Sequence, residues 1–238
     1  MLRRLHSLSG VLPVGCFLVL HLWGNAAALR GRDAFFAQKW EAANAPYWVV
    51  LEVVLIALPL SYHALYGLVL ALKTRSNVMK YSGGSNWAYT FQRLTGLLTL
   101  VFIVYHVWHV RWPVLMGRKD ARDVFLVLCE ELSRATASGL PIIALLYLLG
   151  LAAAVYHFAT GLTSFCATWG LSRSRAASRR FATIFGILGV LLFALGANTI
   201  IYFATGSRLV LSPPPNGAAP PVSCQGVVAA RLSSGGSR

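Results

Sequence analysis

Apolar residues run in five long stretches, about residues 8–29, 48–72, 91–110, 140–171 and 181–204, and polar residues collect in the segments between them. Each stretch can cross a hydrocarbon core of roughly 30 Å as a helix, which takes about 20 residues at 1.5 Å each. The fourth is longer than a span requires, which predicts tilt or projection beyond the lipid. Trp48, Trp87, Trp112 and Trp169 fall near the ends of stretches, where interfacial aromatics gather. The pattern predicts an all-α integral membrane protein, with five transmembrane helices forming one bundle over residues 1–205. The remainder, 206–238, carries Pro213, Pro214, Pro215, Pro220 and Pro221 with a Ser/Gly-rich finish, and reads as a disordered tail without chemistry.

Charge adds direction to this picture. The segments holding Arg3 and Arg4, then Lys73, Arg75 and Lys80, then Arg173, Arg175, Arg179 and Arg180 contain no acids. The other two loops mix signs: Arg30, Arg32 and Lys39 with Asp33 and Glu41, and Arg118, Lys119 and Arg122 with Asp120, Asp123, Glu130 and Glu131. The positive-inside rule then sets the N-terminus and the second and fourth loops in the cytoplasm, and the C-terminus outside. The formal net charge of +14 therefore reads as orientation and not as a nucleic-acid surface. At 57% hydrophobic and 12% charged residues, the composition suits a lipid-facing fold and excludes an ordinary soluble one. Cys16, Cys129, Cys166 and Cys224 form no C-x-x-C pair and no C-x-x-C-H, so zinc, an iron–sulfur cluster and covalent c-type haem are not expected. Cys16 and Cys166 read as small apolar residues.

Ionisable groups inside a membrane are costly and mark function. Four histidines fall singly in the first four stretches: His21, His63, His106 and His157. His21 and His106 lie roughly 20 and 22 Å from the cytoplasmic ends of their spans, whereas His63 and His157 lie roughly 14 and 16 Å from theirs. They sort into an outer pair, His21 with His106, and an inner pair, His63 with His157. Two neutral imidazoles at one depth can hold a haem iron from both sides, which predicts a bundle binding two b haems with no open coordination position. The inner pair shares the pattern H-x-x-x-G, as His63 to Gly67 and His157 to Gly161. A glycine one turn along the same face leaves room for a flat macrocycle, or for close helix packing.

Other polar residues have two roles open to them. His109, one turn from His106, is a rival ligand by spacing or an interfacial residue. His6, beside Arg4 and Ser9 at the cytoplasmic boundary, can bond a haem propionate or quinone, or be hydrated. Arg93 can pair with an inner-haem propionate or snorkel to the interface. Glu52 precedes His63 by 11 residues, three turns, so it shares that face roughly 16 Å further out. A carboxyl there can exchange protons with a quinone, or pair with a basic loop residue.

The stretches Arg4–Gly15 (RLHSLSGVLPVG), Leu58–Gly67 (LPLSYHALYG), Trp87–Gly96 (WAYTFQRLTG), His106–Trp108 (HVW) and Tyr156–Gly161 (YHFATG) carry a resemblance. Over about residues 3–205 the chain resembles the cytochrome b membrane anchor of succinate:quinone oxidoreductases, in the class with one five-helix, two-haem subunit. The resemblance implies His21 and His106 on the outer haem and His63 and His157 on the inner. It implies a flavoprotein subunit and an iron–sulfur subunit on the cytoplasmic face, and electron transfer to a membrane quinone, menaquinone, near the outer haem. Dicarboxylate chemistry would then reside in a partner, with this chain a non-flavin subunit of succinate dehydrogenase or fumarate reductase in a bacterial cytoplasmic (inner) membrane. Some relatives carry a proton-transferring glutamate two residues before the last ligand; here that position is Val155. Two rivals stand beside this reading: the b subunit of a hydrogenase, formate dehydrogenase or ferric reductase, and a haem-free transporter lined by His and Glu52.

Overall fold

The computed structural model describes residues 1–43, 47–73, 84–137, 139–209, 224 and 226. Arg75, Lys80 and the prolines from Pro213 to Pro221 lie outside the described residues. All regular structure among the described residues is helical. Among the described residues, five segments are long and apolar enough to cross a membrane: Leu2–Arg30, Trp48–Lys73, Trp87–Leu115, Ile142–Thr168 and Arg175–Thr205. The first comprises α1 (Leu2–Val11), α2 (Pro13–Ala26) and a 3-10 turn, Ala27–Arg30. Helix α3 (Arg32–Ala43) follows. The second joins α4 (Trp48–Glu52) to α5 (Leu58–Lys73), and the third joins α6 (Gly84–His106) to α7 (Trp112–Leu115). Helix α8 (Val124–Ser133) precedes α9 (Ile142–Thr168) and α10 (Arg175–Thr205).

The ends differ from the apolar stretches for physical reasons. The first helix already includes Arg3, Arg4 and His6, and α10 takes in Arg175, Arg179 and Arg180. A helix continues past the lipid wherever its backbone bonds continue, and hydropathy reports only the apolar part. The fourth stops short at both ends of the expected 140–171. Pro141 precedes it, and at its C-terminal end Gly170 turns left-handed at φ 76°, with Leu171 N–H bonded back to the Cys166 carbonyl at 2.9 Å. Such a 6→1 closure around a glycine ends a helix.

Three prolines interrupt the first three spans. Pro13 separates α1 from α2. Pro59 and Pro113 each follow a widened π-helical turn, Val53–Ala57 and Val107–Arg111. A proline ring collides with the carbonyl four residues earlier and offers it no N–H, and widening the preceding turn relieves both problems. The π turn between Glu52 and His63 also rotates one against the other by about a quarter turn relative to a straight α-helix. Glu52 therefore does not share the His63 face as uninterrupted helical spacing predicts.

The chain divides into two compact units. The first comprises Met1–His21, Pro46–Ile103 and Gly150–Phe193. There α1 packs on α5, and glycines admit bulky neighbours: a Cβ on Gly150 would lie 2.3 Å from the Phe102 ring, and one on Gly15 2.4 Å from Phe158. Leu58, Leu65 and Leu72 form an exposed stripe at seven-residue spacing, suited to lipid. The second unit comprises Leu22–Ala45, Val104–Leu149 and Ala194–Arg238. Its core holds Phe35, Phe125 and Phe203, with ring centroids 5.3 to 6.2 Å apart. Helix α8 buries Phe125, Leu128, Cys129 and Leu132, one apolar stripe. Cys129 is disulfide-bonded to Cys224. That bond sets one residue of the 206–238 tail against α8.

Candidate functional site

In the first unit the rings of His63 and His157 stand with centroids 6.1 Å apart and planes at 79°. Each imidazole is held in the same way by a neighbouring helix. His63 Nδ1 lies 2.9 Å from the His6 carbonyl, and His157 Nδ1 lies 2.9 Å from the Gln92 carbonyl. A carbonyl only accepts, so Nδ1 carries the proton in both rings and Nε2 keeps its lone pair. Ser9 Oγ donates to the His6 carbonyl at 3.0 Å, whereas Thr95 Oγ1 donates to the Phe91 carbonyl at 2.7 Å and lies further, 3.2 Å, from the Gln92 carbonyl.

Glycine completes the arrangement. A Cβ on Gly10 would lie 2.3 Å from His63 Cε1, and one on Gly96 would lie 2.8 Å from His157 Cε1. Both values are too short to exist, so only glycine lets these imidazoles sit where they do. Conversely, the space at Gly67 is taken by His6, at 3.1 Å from the would-be Cβ, and that at Gly161 by Gln92, at 3.8 Å. A Cβ on Gly67 would crowd His6, whereas one on Gly161 would make only ordinary contact with Gln92. The two arrangements are copies: His6-x-x-Ser9-Gly10 against His63-x-x-x-Gly67, and Gln92-x-x-Thr95-Gly96 against His157-x-x-x-Gly161.

This donor set fits haem iron. A metal ion shared by two imidazoles spaces their ring centres about 6 Å apart, with about 2 Å for each metal–nitrogen bond and about 1 Å from nitrogen to ring centre. The observed separation is of that size. Among the described residues no three His, Cys, Asp or Glu side chains converge as a protein-only metal cage would need. Histidines in twos suit a metal whose remaining ligands come from a macrocycle.

The other expected residues of this unit are placed as follows. His6 stacks its ring on His63 at 4.1 Å and 10°, and its Nδ1 is buried with no hydrogen-bonding partner among the described residues. A buried polar atom left in that state is a point for a further hydrogen bond. Arg93 donates to the Ala71 carbonyl and lies 5.5 Å from the Tyr89 ring. Arg4 lies 5.7 Å over Trp169, at an apolar groove that Leu5 and Leu8 also line. His21 lies against Phe17, with centroids 5.1 Å apart. Glu52 is half-buried at the end of α4. Val155 is buried and packs toward Gly189.

In the second unit, His106 Nδ1 lies 3.3 Å from the hydroxyl of Tyr147, which is only 6% exposed. Tyr147 thus does for His106 what the carbonyls do for the inner histidines, provided the proton sits on Nδ1. His109 instead folds back on its own helix, Nδ1 to the Tyr105 carbonyl at 3.1 Å with the rings 4.2 Å apart. Within one unit the structure brings together His6, His63 and His157; His21 and His106 belong to different units. The sequence reading missed Gln92, Ser9, Thr95, Gly10, Gly96 and Tyr147. One signal was present, the recurrence of Ser/Thr-Gly in SLSG and RLTG.

Residues 70–196 match the family described as succinate dehydrogenase/fumarate reductase transmembrane subunit. The chain is also 37% identical over 201 residues to the succinate dehydrogenase cytochrome b558 subunit of Bacillus subtilis (strain 168), covering 84% of this chain and 95% of that protein. No solved structure matches.

Proposed function

The chain belongs to the succinate dehydrogenase/fumarate reductase transmembrane subunit family, and we propose that it is the five-helix, two-haem kind, carrying electrons between an iron–sulfur subunit and a membrane quinone. Membership sets aside the hydrogenase, formate dehydrogenase, ferric reductase and transporter readings. On this proposal His63 and His157 hold the inner b haem, and His21 and His106 the outer. A haem held by these histidines would supply a reversible one-electron couple.

The observation that carries the reading is the pair of clamped imidazoles: two rings with centroids 6.1 Å apart, each with Nδ1–H on a backbone carbonyl. Donating Nδ1–H fixes the tautomer and ring orientation and raises the basicity of Nε2, as outer-shell partners of metal-bound histidine do. Tyr147 would do the same for His106. His6, with its unpartnered Nδ1, and Arg4 and Arg93 are the proposed propionate or quinone contacts; Glu52 is the proposed proton-exchanging carboxyl for the quinone, menaquinone in this class. The flavoprotein and iron–sulfur subunits would dock on the cytoplasmic face of a bacterial inner membrane. The dicarboxylate chemistry would be theirs.

The test is His157→Ala in the assembled complex, read by a reduced-minus-oxidised spectrum. The proposal predicts loss of one b haem with the other retained. Retention of both would remove His157 from the ligand set.

A further inference from the structure

Of the four cysteines, Cys16 and Cys166 are unbonded and lie in the spans Leu2–Arg30 and Ile142–Thr168. Cys129 and Cys224 are bonded to each other across 95 residues of sequence, and both are fully buried. Cys129 sits on the buried face of α8, one residue after Leu128 and one turn from Phe125, whose ring packs on Phe35 and Phe203. The sulfur is therefore held on a rigid, packed surface and not on a free loop. Structural disulfides persist in oxidising compartments and are rare in a reducing cytoplasm. The loop that carries Cys129 is one of the two mixed-sign loops that the charge pattern assigns to the outer side. Both cysteines therefore reach the outer compartment only if the number of spans between them is even, and two lie between, Ile142–Thr168 and Arg175–Thr205.

We propose that Cys129 and Cys224 are oxidised on the extracytoplasmic side of the membrane, fastening the C-terminal segment to α8, and that a disulfide-bearing thiol oxidant of that compartment makes the bond. One cysteine thiolate attacks the oxidant's disulfide to form a mixed disulfide, and the second thiolate displaces the oxidant. Two protons and two electrons leave the cysteine pair; the oxidant departs as its dithiol. The bond is independent of the haem assignment, but its location rests on the proposed orientation.

The test counts thiols in the full-length chain, denatured from acid-quenched membranes, by the gel shift of a polyethylene-glycol maleimide. Two adducts before reduction, on Cys16 and Cys166, and four after it are expected; four before reduction overturns the bond. Cys224→Ser should give three adducts with and without reduction, and two before reduction would mean that Cys129 bonds elsewhere. Expression in a host lacking its extracytoplasmic thiol oxidant should give four adducts without reduction. Two in both hosts overturns the outer-side assignment while leaving the bond itself standing. Haem content of Cys224→Ser should equal that of the parent, so failure of the haem reading is seen separately.

Discussion

The backbone carbonyl of Gln92 accepts the Nδ1 proton of His157 at 2.9 Å, and Gly96, one turn further along α6, lies against the same imidazole. His6 and Gly10 hold His63 in the same way. A backbone carbonyl cannot be removed by substitution, so this hold is insensitive to side-chain identity at Gln92 and sensitive to the glycine beside it. The tests therefore concern the glycines and the hydroxyls.

Gly96→Ala and Gly10→Ala should each displace the facing imidazole, since the new methyl would stand 2.8 or 2.3 Å from its Cε1. Overpacking of this kind costs about 1–3 kcal/mol, about a five- to 150-fold loss of inner-haem affinity. Haem titration of the purified variants checks it. Gly117→Ala, in open space but at φ 64°, would strain only the loop and should leave both haems in place.

Ser9→Ala removes a hydroxyl that shares the His6 carbonyl with the imidazole, and Thr95→Ala one that sits mainly on Phe91 and only secondarily on the Gln92 carbonyl, so the effect of the second is smaller. The freed carbonyl becomes a better acceptor for Nδ1–H, and Nε2 becomes a stronger donor, which favours the ferric state. The inner-haem midpoint potential should fall in both variants, by less than the ~59 mV of a tenfold one-electron change. A redox titration followed at the haem absorbance measures it; a rise in potential would contradict the clamp.

Tyr147→Phe takes away the hydroxyl that lies 3.3 Å from His106 Nδ1. Loss of such an outer-shell partner typically costs about 10–100-fold in metal affinity. The outer haem should weaken or shift in its spectrum while the inner haem stays unchanged. Equal effects on both haems would argue against the assignment of His106 to a separate site.

Glu52→Gln should leave haem content intact and slow quinone turnover by about 100-fold or more, the range for loss of a positioned proton-transfer group. Succinate:quinone activity of the assembled complex, set against haem reduction by succinate, separates proton transfer from electron entry. Unchanged turnover would return Glu52 to an interfacial role.

Much of the architecture is legible in the residues. The apolar stretches locate five spanning helices, but the break at Pro13 and the widened turns before Pro59 and Pro113 do not show in hydropathy. The H-x-x-x-G repeat points at His63 and His157. The clamp escapes such reading because its acceptors are backbone atoms, which every residue carries, and because Gly10 and Gly96 act on histidines of other helices. The π turn between Glu52 and His63 shows the same limit: regular spacing transfers a face along a helix only while the helix stays regular. Cys129 and Cys224 escape because a separation of 95 in sequence carries no spacing signal.

The central claim is that paired histidines hold two b haems in one chain. The most direct measurement is a pyridine haemochrome count per chain on the detergent-purified complex, with a dithionite-reduced minus oxidised spectrum. Two b haems per chain are predicted, falling to one when either His63 or His157 is replaced by Ala. One haem or none in the well-folded parent would contradict it.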